Sequence, residues 1–126
     1  SEINFKAKRS LFRKSAIFLL SSLNQVVDKG TGKKAYTHDI KMGGKTGTAE
    51  IWDKESKQYS KENYFSSFAA IFPIDNPKYT MIISIEAPEE YDKRWGGETA
   101  APCAKNIINN MILYDKDLRV KNNEAT

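Results

Sequence analysis

The stretch Lys41–Trp52, KMGGKTGTAEIW, is the part of the 126-residue chain around which the rest is organised. Three glycines interrupt a run that otherwise suits a β-strand, and glycine inside a strand marks a close approach of another backbone or a ligand. Because side chains alternate between the faces of a strand, Lys45 should point one way and Thr46 and Thr48 the other. Gly47 leaves the backbone between the threonines bare. The stretch therefore predicts an edge strand that binds an extended, peptide-like anion by strand addition.

A phosphate-binding loop is the competing interpretation of these letters. Its pattern is Gly-x-x-x-x-Gly-Lys-Ser/Thr. With Gly44-Lys45-Thr46 in place, the first glycine would fall at position 39, where the chain has Asp39. That carboxylate would repel phosphate, and the β-rich residues after Gly47 do not resemble the start of a helix. We therefore expect a substrate-binding strand.

The composition fits one globular domain or part of one. Hydrophobic residues make up 40% of the chain and charged residues 29%, which is ordinary for a globular protein. No apolar run approaches the 18 residues or so of a membrane-spanning helix. The chain has neither an initiator Met nor a signal-peptide pattern, so we expect its first residue to be a cut point inside a longer protein.

The net charge of +4 is unevenly placed. Residues 1–45 hold ten Lys/Arg and three Asp/Glu, whereas the remainder holds ten and thirteen. A basic front half is compatible with nucleic-acid binding, but no nucleic-acid-binding motif accompanies it. We expect a solvated basic face that attracts an anionic substrate, and no nucleic acid. With a single His and a single Cys, no metal site and no cofactor are expected.

The apolar periodicity predicts an α+β fold in which a three-stranded antiparallel sheet is flanked by an N-terminal and a C-terminal helix. The first helix should begin at Leu11, with Ser10 as its N-cap, and stop at Gly30. Its apolar stripe recurs at three- and four-residue steps: Phe12, Ala16, Leu19, Leu20, Leu23, Val26 and Val27.

After the key strand, Asp53–Asn63 is charged and predicts a solvent loop. Tyr64–Phe72 is apolar on both sides and predicts a central strand buried on both faces. Tyr79–Ala87 alternates and predicts a third strand; the short connections imply an antiparallel meander. Thr99 should cap the last helix. The apolar stripe of that helix consists of Ala104, Ile107, Ile108, Met111 and Ile112, and residues 1–9 and 116–126 are expected to be polar tails.

Four ordered segments resemble the transpeptidase domain of class B penicillin-binding proteins. Gly44–Glu50, GKTGTAE, contains the Lys-Thr-Gly motif of the serine penicillin-recognising enzymes. Val26–Ala35 resembles the segment before this strand, Tyr64–Pro73 the next strand, and Trp95–Pro102 the loop entering the last helix. The likeness covers most of the chain and is greatest to the division-type peptidoglycan transpeptidase, so the fold should be a fragment of the β-lactamase/transpeptidase-like fold.

The resemblance implies a serine-type D,D-transpeptidase that transfers an acyl group from a D-Ala-D-Ala stem peptide of peptidoglycan and is trapped by β-lactams. Lys45 would shape the electrostatic field, and the hydroxyls of Thr46 and Thr48 would hold the carboxylate. The backbone N–H of Thr48 would supply half of the oxyanion hole. Gly47 must stay small, and Trp95 would lie at the ligand rim; packing of Trp95 over the sheet end is the alternative.

The nucleophile of this family is absent from the chain. No lysine has a serine three residues before it, so there is no Ser-x-x-Lys. Ser22-Leu23-Asn24 spells the family's Ser-x-Asn motif but falls inside the helical pattern, and we interpret it as a chance match. Residues 1–126 are therefore expected to be the incomplete C-terminal portion of a transpeptidase domain, inactive alone, with an exposed apolar surface that favours self-association.

The resemblance also implies partners and a location. The partners would be peptidoglycan stem peptides, β-lactams, the upstream part of the same domain and proteins of the division machinery. The location would be the bacterial inner membrane, with the catalytic domain facing the periplasm and the anchor outside this chain. A non-catalytic β-lactam-sensing or binding module and a serine β-lactamase remain as alternatives. A Ser-x-x-Lys upstream would support the enzyme.

Overall fold

The computed structural model of the protein describes residues 8–86 and 94–118. Two helices, α1 (Arg13–Asp28) and α2 (Ala100–Met111), flank the strands β1 (Gly43–Asp53), β2 (Gln58–Phe72) and β3 (Tyr79–Glu86). Short 3₁₀ turns lie at Lys33–Ala35 and Lys116–Leu118. The strands form an antiparallel sheet in the order β1-β2-β3. The predicted α+β class, with an antiparallel sheet and a helix at either end, is confirmed.

One face of the sheet packs against α2 and closes a core. Residues directly opposite each other on neighbouring strands share a face, and the register places Phe68 between Thr46 and Ile83. Phe68 has no exposed surface, and the small Ala100 and Ala104 of α2 are equally buried. The rest of the buried core comes from the loops and both helices as well as β2: Val27, Ala35, Ile40, Met42, Ala70, Phe72, Ala101, Ile108, Ile112 and Leu118.

The opposite face of the sheet is largely exposed. Ile82 is 76% exposed and Phe65 is 38% exposed. On this face α1 packs at the start of β1, where a Cβ at Gly43 would lie 2.9 Å from the Cβ of Leu23. Strand β2 is central, as predicted, but it is buried on one face only. The prediction of burial on both faces was wrong because the described part of α1 covers only one corner of the other face.

Helix α1 begins two residues later than predicted. Its first residue is Arg13, and Phe12 occupies the N-cap position without a side-chain hydrogen bond. Ser10 is not the cap, because its hydroxyl donates to the carbonyl of Lys8 at 3.4 Å. At the other end the N–H of Gly30 donates to the carbonyl of Val26 at 3.1 Å, so the helix ends close to the predicted stop.

The apolar stripe predicted for α1 is mostly not buried. Val27 is 1% exposed, whereas Phe12 is 86% exposed and Leu19 is 44% exposed. Ile17 and Phe18, which lie outside the predicted stripe, are 56% and 72% exposed. Within residues 8–86 and 94–118, the helix thus presents a large apolar surface that no described element covers.

The segment predicted as a solvent loop, Asp53–Asn63, is instead the end of a long β-hairpin. Trp52 pairs with Tyr59 across the strands, and their rings meet edge to face with centroids 5.1 Å apart. The Asp53 carboxylate accepts the N–H of Glu55 at 3.0 Å, which closes the turn. The sequence pattern was misleading because this end of the hairpin lies beyond the core, where charged side chains replace the usual alternation of apolar and polar residues.

Helix α2 agrees with its prediction except at its cap. Thr99 directly precedes it, but the Thr99 hydroxyl donates to the carbonyl of Trp95 at 3.2 Å and caps no helical N–H. In the predicted stripe, Ala104, Ile108 and Ile112 are buried, Met111 is partly buried, and Ile107 is 39% exposed.

The C-terminal segment is less polar in character than predicted. Leu118 is buried in the 3₁₀ turn, which corrects the prediction of a polar tail from residue 116. Predictions for residues 1–7, 87–93 and 119–126 lie outside the described residues. No helix in the part of the chain that the structure describes has both the length and the apolarity to cross a membrane.

Candidate functional site

The Lys-Thr-Gly-Thr run lies in the first half of β1, at an edge of the described sheet. Thr46 is opposite Phe68, on the face toward α2, and Thr48 shares that face. Lys45 is opposite Ala69 on the other face. The predicted alternation of the lysine and the threonines is confirmed, and it places the two hydroxyls on one side of the strand.

The outer edge of β1 is accessible. Among the described strands only β2 pairs with β1. The carbonyl of Thr46 accepts a hydrogen bond from Nζ of Lys45 at 2.7 Å, and the lysine side chain is exposed. Peptide groups two residues apart in a strand point to the same side, so those of Thr46 and Thr48 face the same edge.

A glycine loop lies directly on the strand at Gly47. The N–H of Gly96 donates to Oγ1 of Thr48 at 3.2 Å. A Cβ at Gly96 would lie 2.5 Å from the carbonyl oxygen of Gly47, so no side chain fits there. The hydroxyl of the buried Ser66 donates to the carbonyl of Arg94 and anchors the start of the loop. The predicted close passage of this glycine loop over another backbone is confirmed.

A second segment reaches Thr46 from the turn after α1. Oγ1 of Thr31 lies 3.0 Å from Oγ1 of Thr46, and either hydroxyl can donate. Sequence reasoning did not find this contact, since fifteen residues separate the two threonines. The only signal was the likeness of Val26–Ala35 to the segment that precedes the strand in the penicillin-binding family.

The two segments that flank the threonines are tied to each other. Lys34 and Glu98 form an ion pair. Gly97 lies so close to the carbonyl of Thr31 that a Cβ would overlap it. The turn after α1 and the loop before α2 therefore meet at Thr46 and Thr48 and form one side of the site.

Trp95 stands at the rim of a groove that continues from Thr48 along β1. The groove has a volume of about 540 Å³. Trp95 is 51% exposed, and the guanidinium of Arg94 lies 4.5 Å from its ring centroid and 5.7 Å from that of Tyr64. Trp95 therefore lines the groove, and its contact with a ligand stays a prediction. The groove is lined by Thr48, Ala49, Glu50, Tyr59, Tyr64, Arg94 and Trp95.

Ser22-Leu23-Asn24 takes no part in this site. The three residues lie inside α1, and the Ser22 hydroxyl donates to the carbonyl of Phe18 one turn earlier at 3.1 Å. The side-chain amide of Asn24 donates to the carbonyl of Met42 at 2.8 Å, which ties the helix to the start of β1. The prediction that this match falls inside a helix is confirmed.

Most of the chain matches one known protein family. Residues 6–109 match the family model described as the penicillin binding protein transpeptidase domain. The chain belongs to this family.

The curated relatives of this transpeptidase-domain chain are much longer than it is. The peptidoglycan D,D-transpeptidase FtsI homolog of Chlorokybus atmophyticus is 36% identical over 111 residues, which cover 88% of this chain and 16% of that protein. The probable peptidoglycan D,D-transpeptidase FtsI of Caulobacter vibrioides is 36% identical over 93 residues, which cover 68% of this chain and 16% of that protein. The chain thus spans about one sixth of the length of these relatives.

Solved structures of the family share the fold of this chain. Penicillin-binding protein 3 of Mycobacterium tuberculosis, complexed with ampicillin, superposes with a TM-score of 0.72 at 27% identity, over 88% of this chain and 26% of that one. The transpeptidase domain of the FtsI4 D,D-transpeptidase of Legionella pneumophila superposes with a TM-score of 0.67 at 29% identity, over 81% of this chain and 37% of that one.

Proposed function

We propose that this chain is the C-terminal portion of the transpeptidase domain of a peptidoglycan D,D-transpeptidase that cross-links the cell wall at division. A serine in the upstream part of the domain attacks the D-Ala-D-Ala bond of a stem peptide, and D-alanine leaves. An amine of a second stem then takes the acyl group from the serine. The family match over residues 6–109 and the names of the relatives support this reaction, and they favour it over hydrolysis of β-lactams.

The observation that carries the proposal is the open edge of β1. Thr46 and Thr48 present two hydroxyls on one face, and no described strand pairs with this edge. An extended stem peptide adds to the strand there, with its terminal carboxylate at the hydroxyls. Gly47 stays small so that the peptide can lie along the strand, and Trp95 contacts the ligand from the rim.

The peptide N–H of Thr48 donates a hydrogen bond to the oxyanion. Because it faces the same edge as the Thr46 carbonyl that Lys45 reaches, it supplies one donor to the carbonyl oxygen that becomes negative during attack. Lys45 adds a positive field at that edge and hydrogen-bonds to a group of the upstream part. A field of this sign stabilises both the substrate carboxylate and the developing oxyanion.

The chemistry requires the upstream part of the domain. This chain alone holds no Ser-x-x-Lys, so it binds the ligand but has no serine nucleophile that the ligand can acylate. Its partners are stem peptides, β-lactams, the upstream part and the division machinery. The whole protein lies at the bacterial inner membrane with this domain facing the periplasm. The ampicillin and aztreonam complexes of the Mycobacterium tuberculosis protein support the assignment of β-lactams as ligands.

Labelling with a fluorescent penicillin tests the proposal. The full-length protein should acquire a covalent label that survives denaturation, and the 126-residue chain should acquire none. Covalent labelling of the chain alone would contradict the assignment of the nucleophile to the upstream part. Rapid turnover of penicillin by the full-length protein would indicate a β-lactamase. Reversible binding without any label would indicate a non-catalytic binding module.

A further inference from the structure

The direction of the hydrogen bond between the Thr31 and Thr46 hydroxyls decides whether Thr46 can donate to a ligand. The two oxygens are 3.0 Å apart, and either can donate. A hydroxyl has one proton and two lone pairs. If Thr46 donates to Thr31, it has no proton left for a ligand; if Thr46 accepts, its proton is available.

Thr48 has no such ambiguity. Its Oγ1 lies 3.2 Å from the backbone N of Gly96, and a backbone N–H only donates. Thr48 is therefore the acceptor and keeps its own proton for another partner. Thr46 lies on the same face two residues earlier. An anion at this face meets two donors only if Thr46 does not use its proton on Thr31, which makes Thr46 the acceptor of that pair.

We propose that Thr31 is a positioning residue that donates to Thr46 and thereby directs the Thr46 proton to the carboxylate of the ligand. This inference rests on the proposed function, in which Thr46 binds that carboxylate. The bound anion selects this direction, since the reverse would turn lone pairs of Thr46 toward a negative charge. Hydrogen bonds in series polarise each other, and the last bond, to the carboxylate, is charge-assisted.

The backbone holds Thr31 in place without a ligand. The N–H of the next residue, Gly32, donates to the carbonyl of Val26 at 3.0 Å. Gly97 rests on the Thr31 carbonyl, and the Lys34–Glu98 ion pair joins the two segments. The donor is thus set before substrate arrives, as positioning requires.

The test measures the second-order rate of acylation of the full-length protein by a penicillin. Thr46→Val should lower the rate about 10- to 150-fold, as expected for one lost hydrogen bond to a charge. Thr31→Val should lower it about 2- to 10-fold, and Thr31→Ser should restore it. Because Thr31 acts only through Thr46, the double Val variant should match Thr46→Val alone.

A penicillin methyl ester, which lacks the carboxylate, distinguishes a positioning role from a structural one. A structural role of Thr31 would affect the acylation rates of the acid and the ester equally. Thr31→Val should leave the acylation rate of the ester unchanged. Thr80→Val is the matched control, since Thr80 lies on β3, on the face of the sheet opposite Thr46 and Thr48. It should leave the rates of both compounds unchanged, and thermal unfolding should confirm that each variant keeps its fold.

Two results would overturn the role of Thr31. Multiplied losses in the double variant would mean that Thr31 touches the ligand itself. Equal losses on the acid and the ester would mean that it only supports the fold. An unchanged acid rate in Thr46→Val would instead contradict the proposed function, because the carboxylate would then lie elsewhere.

Discussion

The two faces of the sheet are covered by other residues to different degrees. On the face toward α2, Phe68 and Phe72 are fully buried, and the loop at Gly96 leaves no room for a side chain. On the opposite face Ile82 is 76% exposed, and on the nearby α1 Phe18 is 72% exposed. The first face is a core made within this chain, whereas the second is apolar surface that the described residues cover only at the corner under α1.

This difference indicates that the chain packs one face of its sheet by itself and that a partner covers the other face. Contiguous exposed apolar surface is uncommon on isolated soluble proteins and marks interaction sites. An apolar groove of about 540 Å³ runs along the exposed face between Leu23, Ala69 and Ile82. We expect the upstream part of the domain to cover this face and to bring the nucleophile to the open edge of β1.

The largest stability effect should follow from truncating the closed face. Phe68→Ala removes a fully buried ring and should lower the free energy of unfolding by about 3–5 kcal/mol. Phe65→Ala is the matched control on the same strand, because Phe65 lies on the other face and is 38% exposed. Denaturant unfolding measures both. Equal losses would show that the two faces are packed alike and would break the comparison.

The glycine loop gives a smaller effect. Gly96→Ala would push a methyl group against the backbone of Gly47 and Ser67, and this overlap should cost about 1–3 kcal/mol. Gly47→Ala meets only the Ser67 hydroxyl, 2.5 Å from the added carbon, which can rotate away. Thermal unfolding should therefore give Gly96→Ala a lower melting temperature than Gly47→Ala. The reverse order would mean that the loop is not seated on the strand.

The ion pair that closes the end of the core should make stability depend on pH. Asp115 accepts from Nζ of Lys78 at 2.5 Å and from the Tyr79 hydroxyl at 2.9 Å. These bonds hold the pKa of Asp115 below its ordinary value of 3.8, with Lys78 as the main cause. The stabilisation is therefore complete above pH 3.8 and is lost as the pH falls through the lower pKa of the folded state.

Asp115→Asn should accordingly be less stable than the wild type at neutral pH, and the difference should vanish in acid. Asp75→Asn is the control, since the Asp75 side chain is 80% exposed and 3.6 Å from its partner Lys41, where a salt bridge contributes little. Unfolding measured as a function of pH distinguishes them. A deficit of Asp115→Asn that persists unchanged in acid would contradict this account.

The smallest stability effect is expected on the open face. Ile82→Ser should change the free energy of unfolding by no more than about 0.5 kcal/mol, as is usual for exposed positions. It should, however, reduce self-association of the chain, because the exposed side chain is apolar. Analytical ultracentrifugation measures the association. A stable monomer in both wild type and variant would argue against an uncovered docking face.

The sequence predicted the elements whose residues carry a local pattern. Strand β3 follows its alternation, and α2 buries Ala104 and Ile108 as its stripe required. The Lys-Thr-Gly-Thr strand was found because its glycines and hydroxyls are unusual for a strand. The hairpin end at Trp52 and Tyr59 was missed, since exposed strands beyond a core carry charges on both faces.

The rest depended on contacts that no local pattern encodes. The stripe of α1 predicted burial, but burial requires a partner, and within the described residues only Val27 of that stripe is fully buried. The Thr31–Thr46 contact joins a turn to a strand across fifteen residues. Ser10 and Thr99 suit helix caps by type, yet each donates its hydroxyl to a nearby carbonyl instead.

The most direct test of the central claim removes the Thr48 N–H from the open edge. In the full-length protein, Thr48→Pro deletes this donor at a position where an edge strand tolerates proline, while Thr48→Val keeps it. Both variants lack the hydroxyl and only the proline variant lacks the N–H, so acylation by penicillin should be about 100- to 1,000-fold slower in Thr48→Pro than in Thr48→Val. Equal rates in the two folded variants would contradict the assignment of this edge to the reacting carbonyl.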